Sequence, residues 1–231
     1  MTSPDYIKIN GVSSHTINVW VDTPPVPPMA RQKYTVWTSK NDVQGTTADN
    51  VYEDITYTVT MYVFKDENYN NTEIYSFFSA AKTLEISRVP RFYYKIKQVA
   101  VDASEDYDGN RIRYTATFKL SPFRYSIENP AITLAKNDIV TNKGTRYSKP
   151  LYRIEGSGDI SLIVNGESLQ IKDVNEAVNV DCERLVIYDD AGNNFLPKSN
   201  GKLPFLASGE NLITWSGNVT QCTIKMNERW Y

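Results

Sequence analysis

Few side chains in this sequence are of the types that carry out nucleophilic or acid–base chemistry. The 231 residues include one histidine, His15, which has no serine or cysteine motif beside it. Because histidine is the usual general base, a Ser–His–Asp or Cys–His site is not indicated, and His15 is predicted to lie in a loop. Cys182 and Cys222 lack metal-ligand spacing. They are predicted to be buried free thiols, with a single bridge between neighbouring strands as the alternative.

One acidic loop is superficially similar to a calcium-binding loop. Asp106, Asp108 and Gly109 follow the EF-hand order if Ser104 is taken as the first position. Ser104 replaces the leading aspartate, however, and Thr115 stands where the bidentate glutamate is needed. The loop is therefore interpreted as a solvated hairpin turn, and we expect neither a metal ion nor a cofactor.

Two other kinds of enzyme site leave weak signals. Paired carboxylates of a glycosidase stay open as an alternative, because two acids need only meet in space and the chain has 27 of them. Residues 156–158, Gly-Ser-Gly, are the nearest approach to a phosphate loop. They lead into a predicted strand rather than a helix, so they are interpreted as a β-turn. We expect a protein that is not an enzyme.

The charge and hydropathy patterns argue against nucleic acid and membrane partners. A net charge of −2 with mixed signs gives no broad basic surface for nucleic acid or anionic lipid. No stretch approaches the roughly 20 apolar residues that a membrane helix needs, and the amino terminus has no signal-peptide pattern. We therefore expect no specific nucleic acid, no membrane, and synthesis in a cytoplasm.

The elements that would position these side chains are mostly strands. The chain contains 16 tyrosines, which suit half-buried strands and contact surfaces. Alternating or β-rich runs predict four strands in the first half, of which the second should be central and the last two should form an antiparallel hairpin. These strands are residues 16–21, 56–64, 92–101 and 111–120.

One segment of the first half, residues 73–84, has helical periodicity. Its apolar residues recur at i, i+3, i+4 and i+7, which is typical of an amphipathic helix. These residues are Ile74, Phe77, Phe78 and Ala81. Asn71 or Thr72 is expected to cap the helix.

The texture changes after Tyr125, where residues 126–148 hold few periodic apolar positions and several turn dipeptides. We place a domain boundary there, which gives domains 1–130 and 131–231. Short strands with turn dipeptides between them then predict an all-β sandwich. Three hairpins are predicted, pairing 159–164 with 168–171, 184–188 with 194–196, and 211–215 with 221–226 through a turn at 216–219.

An ordered set of short motifs runs through nearly the whole chain. In the first half these are Ile-Asn-Gly-Val-Ser at 9–13, Pro-Pro at 24–25, Arg31, Tyr-Glu-Asp at 52–54, Ser-Arg-Val-Pro-Arg-Phe-Tyr-Tyr-Lys at 87–95 and the segment 118–125. In the second half they are 154–166 and 201–217. In this order they resemble the distal tail proteins of siphophages that infect Gram-positive bacteria. Residues 35–40 depart from the pattern by lacking a clear Pro-Gly-Arg, and the carboxy-terminal domain is of the short kind.

The resemblance implies a mainly β fold with two domains. Residues 1–130 would be a β-sandwich-like ring-forming domain with one α-helix, and residues 131–231 a galectin-like β-sandwich. A homohexameric ring would join the tail-tube protein to the tail-associated tip protein at the virion tail tip. The carboxy-terminal domains would offer docking sites for a receptor-binding protein.

Six residues of the first domain are hypothesised to form the ring or partner interface, with the alternative that most of them determine the fold. They are Tyr52, Glu53, Asp54, Arg88, Tyr93 and Tyr94. The alternative function is a carbohydrate-binding, lectin-like module in host-surface adhesion. It would need an exposed aromatic platform, for which Trp215, Trp230 and Tyr231 are ambiguous candidates.

Overall fold

The computed structural model describes residues 5–38, 44–65, 69–105 and 109–231. Within these ranges the chain forms seventeen β-strands, one α-helix and two short 3₁₀ helices. It divides into two compact units, Met1–Arg124 with Tyr231, and Tyr125–Trp230. No helix in the described ranges has the length and apolar character needed to cross a membrane. The prediction of a mainly β protein is confirmed.

The first unit is built on one large sheet. Its strands are β1 (Ile7–Ile9), β2 (Val12–Ser13), β3 (Trp20–Val21), β4 (Gln32–Thr38), β5 (Gln44–Tyr52), β6 (Ile55–Phe64), β7 (Thr83–Ile86), β8 (Phe92–Glu105) and β9 (Arg111–Ser126), with helix α1 at Asn71–Ser79. Seven strands follow the order β2-β1-β7-β8-β9-β6-β3. β4 and β5 pair only with each other as a separate two-stranded sheet among the described strands.

Strand β6 confirms the predicted strand but not its predicted central position, because it lies beside the short edge strand β3 in the order of the sheet. It pairs with β9 along its whole length and with β3 near its end. Its buried side chains, such as Tyr57, Val59 and Met61, alternate with threonines on the other face. β-Branched and aromatic residues at alternate positions therefore produce the half-buried strand that this pattern favours.

Helix α1 starts and ends earlier than predicted. Asn70 caps it, because its side-chain oxygen accepts hydrogen bonds from the backbone N–H groups of Thr72 and Glu73. The predicted last residue, Leu84, lies instead in β7 and is buried. Asn10 fixes this ending, since its side chain accepts from Lys82 N–H at 2.9 Å and donates to the Ala80 carbonyl at 2.8 Å. The contact spans about 70 residues, so helical periodicity alone does not reveal it.

The predicted strand at 16–21 is largely wrong. A 3₁₀ helix occupies Ser14–Ile17, and only Trp20–Val21 forms a strand. Asn18 ends the helix in the left-handed conformation, with φ of 56°. Asparagine tolerates this conformation because its short polar side chain bonds locally. The alternating residues that predicted a strand therefore form a 3₁₀ turn followed by a two-residue strand.

The second unit is a sandwich whose longest strands run through both layers. Its strands are β10 (Ala131–Leu134), β11 (Asp138–Asn142), β12 (Leu151–Val164), β13 (Glu167–Asp181), β14 (Val186–Tyr188), β15 (Ser199–Gly201), β16 (Gly209–Lys225) and β17 (Arg229–Trp230). In one layer, β10 pairs with the carboxy-terminal part of β16 and β14 with the carboxy-terminal part of β13. In the other layer, β11 pairs with the amino-terminal part of β16 and β15 with the amino-terminal part of β13. β12 pairs with both β13 and β16 in both layers. The inward residues of both layers form one core.

The third predicted hairpin does not exist, because residues 216–219 lie inside the continuous strand β16. The β12–β16 register shifts at this level, as expected where a strand bends from one layer to the other. Gly217 has φ of 93°, and a Cβ there would meet the backbone carbonyl of Asp159. The predicted turn at 156–158 is also wrong: Gly156 lies within β12 against the Asn218 carbonyl. The glycine, serine and asparagine residues at 156–158 and 216–218 therefore mark a bend within continuous strands, and the chain does not reverse direction there.

The first predicted hairpin is confirmed and is longer than predicted. β12 and β13 pair from Leu151↔Asp181 to Val164↔Glu167. Asn165 and Gly166 both have positive φ, 52° and 86°. A two-residue turn of this kind matches the twist of the strands it joins. The second hairpin is reduced to β14 and a bridge between Tyr188 and Asn194.

Replacing a buried tyrosine of the first unit by phenylalanine is expected to change the free energy of unfolding differently at two positions. Tyr114 donates to Asn71 Oδ1 at 2.8 Å and its hydroxyl lies 2.9 Å from that of Tyr69. The Tyr57 hydroxyl has no hydrogen-bond partner among the described residues. Tyr114→Phe should lower the free energy of unfolding by about 1–2 kcal/mol, whereas Tyr57→Phe should leave it unchanged or raise it by up to about 1 kcal/mol.

Urea denaturation followed by circular dichroism measures both variants. Each serves as the matched control of the other, because both side chains are at most 2% exposed and both lose only one hydroxyl. Equal destabilisation of the two variants would contradict the assignment of the hydrogen bonds.

Candidate functional site

The described residues do not assemble a catalytic or metal-binding cluster. No group of three or more His, Cys, Asp or Glu side chains in these ranges is placed to hold a metal ion. Asp106 and Asp108, of the acidic loop, lie outside the described residues. His15 lies in the 3₁₀ helix rather than a loop, with its ring 4.7 Å from that of Trp20 and Nε2 3.1 Å from the Asp5 carbonyl. These contacts give His15 a packing role.

Both cysteines are buried free thiols, as predicted. Burial raises the pKa of Cys182 and of Cys222 to about 12. Each thiol is therefore protonated at neutral pH, whereas reactive cysteines need the thiolate. Cys182 and Cys222 serve as small apolar core residues of the second unit.

The six residues predicted as an interface fall at two places in the first unit. Three of them, Tyr52 to Asp54, make the connection between β5 and β6. The Asp54 carboxylate lies 2.5 Å from Lys97 Nζ on β8 and 3.7 Å from Lys119 Nζ on β9. This ion-pair network ties the connection to the outer face of the large sheet. Its side chains are substantially exposed, so it contributes little to stability by itself.

Tyr52 joins a cluster of three aromatic side chains. Its hydroxyl lies 2.7 Å from that of Tyr231, and its ring meets Phe123 edge-on at 5.1 Å. Tyr231 belongs to the first unit by its contacts. The last residue of the sequence therefore packs at the end of β5, which sequence reasoning did not foresee.

The other three predicted residues surround the turn between β7 and β8. Arg88 holds Asp5 with Nη2 3.0 Å from Oδ2, and this hydrogen bond lowers the pKa of the Asp5 carboxyl. Tyr93 is half-buried and pairs with Glu85 across the strands. Tyr94 is 4% exposed, and burial raises its pKa. Because its side chain lies in the core, Tyr94 supports the sheet from inside and presents no surface to a partner.

The structure also reveals an exposed apolar hairpin, formed by β4 and β5. Apart from half-buried Gln32, every residue of β4 is exposed. Four large apolar side chains project from the hairpin into solvent: Tyr34 at 59%, Val36 at 64%, Trp37 at 48% and Val51 at 52% exposure. Clusters of this kind mark interaction surfaces on folded proteins. The sequence signal was the alternation in 32–38, which predicts a strand but not that both of its faces are exposed.

A depression of about 520 Å³ lies at the base of this hairpin and connects the hairpin to Tyr52, one of the predicted interface residues. Met29, Tyr34 and Tyr52 lie along it. Met29 is 68% exposed, so the apolar surface continues beyond the hairpin. The apolar hairpin, Met29 and the Tyr52 cluster thus form one continuous candidate contact surface of the first unit.

Comparison with known proteins gives its result at the level of structure. The sequence matches no protein-family model and no curated protein. The structure matches the Dit protein (gp 19.1) of phage SPP1 with a TM-score of 0.72 at 13% identity, covering 99% of this chain and 100% of that chain. The chain has the Dit fold. The SPP1 protein is described as a paradigm of the hub adsorption apparatus in phages that infect Gram-positive bacteria.

Chains of two phage p2 baseplate structures are also similar in fold to this chain. One is the activated conformation with Ca, with a TM-score of 0.54 at 13% identity, covering 96% of this chain and 98% of that chain. The other is the same conformation with Sr, with a TM-score of 0.54 at 12% identity and the same coverage. The resemblance inferred from the motif order is thus confirmed for the fold, over nearly the full chain.

The aromatic side chains considered for a sugar platform take other positions within this Dit fold. Trp215 is half-buried and packs against the core of the second unit. Tyr231 packs with Tyr52 and Phe123. Trp230 is half-buried in β17. Trp215 and Tyr231 therefore each contribute to packing within their own unit.

Proposed function

We propose that the chain is a structural component of a phage tail tip or baseplate and is not an enzyme. The end-to-end match to the SPP1 Dit protein carries this proposal, because the likeness spans both units and leaves no additional domain to explain. The described residues offer no metal cluster, and the thiols and the histidine are engaged in packing. What these residues build instead is a set of exposed strands and apolar contacts.

In this proposal the amino-terminal domain, residues 1–130, forms a homohexameric ring between the tail-tube protein and the tail-associated tip protein. The exposed apolar hairpin supports it, since it is too apolar to be explained as a solvated loop. A closed ring repeats one head-to-tail contact between unlike surfaces of neighbouring copies. Tyr52, Glu53, Asp54, Arg88 and Tyr93 remain in the proposed interface, and Tyr94 supports it from the core.

The carboxy-terminal domain, residues 131–231, is proposed to be a galectin-like domain that offers docking sites for a receptor-binding protein. The two-layer sandwich of β10 to β16 fits this role because its strand edges and outer faces are available for contacts. The protein would act at the virion tail tip after assembly in the host cytoplasm.

Mass measurement of the purified full chain tests the proposal. Native mass spectrometry should show a species of six times the 26.3 kDa chain mass, and negative-stain images at high concentration should show rings. A chain that stays monomeric at its highest soluble concentration and binds on a glycan array would instead support the lectin-like alternative.

A further inference from the structure

The sandwich of the second unit is open along one side. On the opposite side, the outer edge of β14 is covered, because Phe195 N–H donates to the Ile187 carbonyl and Tyr188 bridges to Asn194. β10 and β11 pair only with β16 among the described strands. Each of them therefore presents a row of backbone N–H and C=O groups to solvent on its outer edge.

One feature that hinders pairing is present on these edge strands, because the Asp138 carboxylate accepts from Ile139 N–H on the outer edge of β11 at 3.0 Å. Exposed edges are usually protected by lysines, prolines or bulges. β10 reads Ala-Ile-Thr-Leu and β11 reads Asp-Ile-Val-Thr-Asn, with no lysine or proline in either strand and regular pairing to β16. Apart from the Asp138 contact, the edge is therefore suited to accept another strand.

The core of the sandwich is accessible between the two edges. Ile132 pairs with Ile224, and directly paired residues point to the same face, so both point into the core. Ile224 is fully buried whereas Ile132 is 43% exposed. A groove of about 430 Å³ runs here, with Ile132, Val140 and Met226 in its lining. An apolar side chain inserted at this point would complete the core.

The rim of this groove is acidic. Glu128, Asp138 and Glu228 lie along it, with Lys143 as the basic residue of the same lining. The Glu228 carboxylate accepts from Lys143 N–H at 2.7 Å, and Asp138 accepts from Ile139 N–H at 3.0 Å. Three carboxylates against one ammonium favour a cationic partner.

We propose that the groove between β10 and β11 docks an extended, cationic segment of another tail protein, which adds a strand to β11. The identification of the partner as a tail protein rests on the proposed function. The mode of docking rests on the groove itself: free backbone edges, an apolar floor that takes alternate side chains, and an acidic rim. A sugar would use neither the backbone edges nor the apolar floor.

The test uses the full chain and two synthetic heptapeptides. One alternates valine and isoleucine with lysine, and the other carries glutamate in place of each lysine. Titration followed by ¹H–¹⁵N spectra should shift the amide signals of 131–134 and 138–142, and the lysine peptide should bind at least about tenfold more tightly. Absence of shifts in these strands, or equal affinity for the two peptides, would overturn the proposal.

Two variants and a matched control locate the binding site. Ile132→Lys and Glu128→Lys should each weaken the lysine peptide at least about tenfold, since they place a like charge in the groove. Leu212→Lys is the control: Leu212 is 46% exposed and lies directly opposite Ile139, but it is absent from the groove lining. Equal weakening by all three variants contradicts the assigned site.

The same variants distinguish this proposal from the ring. If a second copy of the chain fills the groove, Ile132→Lys will reduce the mass of the assembly, and the docking proposal is wrong. If the chain binds the lysine peptide but forms no hexamer, the ring proposal is wrong and the docking proposal stands. If the chain forms a hexamer but does not bind the lysine peptide, the docking proposal is wrong and the ring proposal stands.

Discussion

Val36→Asp should abolish the proposed hexameric ring while leaving the monomer folded. Val36 is 64% exposed on β4 and faces solvent beside Thr46 of β5, so aspartate costs the isolated chain little. In the ring, each valine buried against a neighbour contributes about 1.5–3 kcal/mol, and a carboxylate in that contact adds a desolvation cost. Because a closed hexamer repeats the contact six times, the change should reduce the ring to monomers.

Val26→Asp is the matched control for this variant. Val26 is 66% exposed in the first unit, outside the β4–β5 hairpin, and the substitution is chemically identical. Native mass spectrometry of the two variants and of the unmodified chain gives the readout, and circular dichroism checks that both remain folded. If both variants retain the hexamer, the hairpin is not the ring contact. If both lose it, the effect is not specific to the hairpin.

Asn211→Ala should produce a large loss of stability in the second unit. Asn211 is 1% exposed, and its side chain makes four hydrogen bonds. Its oxygen accepts from Ala207 N–H and Asn165 Nδ2, both at 2.8 Å; its nitrogen donates to the carbonyls of Ala207 and Gly209 at 2.9 and 2.8 Å. Alanine removes all four bonds; the Ala207 carbonyl keeps Asn142 Nδ2 as a donor at 3.1 Å, but the other partners lose the Asn211 side chain, which should lower the free energy of unfolding by about 2–4 kcal/mol.

Urea denaturation followed by circular dichroism provides the measurement. Leu212→Ala, at the neighbouring exposed position, should change the free energy of unfolding by less than about 1 kcal/mol. A loss for Asn211→Ala no larger than for Leu212→Ala would show that the network is not structural. Since Asn211 pairs with Val140, the variant should also loosen β11 and weaken peptide docking in the groove.

Local alternation and turn chemistry predicted the parts of the fold whose causes are local. β6 follows from β-branched and aromatic residues at successive positions. The β12–β13 hairpin follows from Asn165-Gly166, because both residues tolerate positive φ. The interface hypothesis stays a prediction: the structure places Tyr52 in an aromatic cluster with Phe123 and Tyr231, and sequence could not separate Tyr93 from Tyr94. Period-two alternation places them on opposite faces without saying which face is buried.

The sequence by itself thus determined a mainly β chain, and the motif order pointed to its fold. Only the tertiary structure decided that β16 bends rather than reverses, because β12 continues to pair with it beyond the shift. Asn10, distant in sequence, fixes the end of α1. Exposure of the hairpin and of Ile132 also depends on which strands lie beside them. The periodicity of apolar residues indicates which face of a strand or helix is apolar. Which other elements pack against that face depends on pairings between residues far apart in the chain.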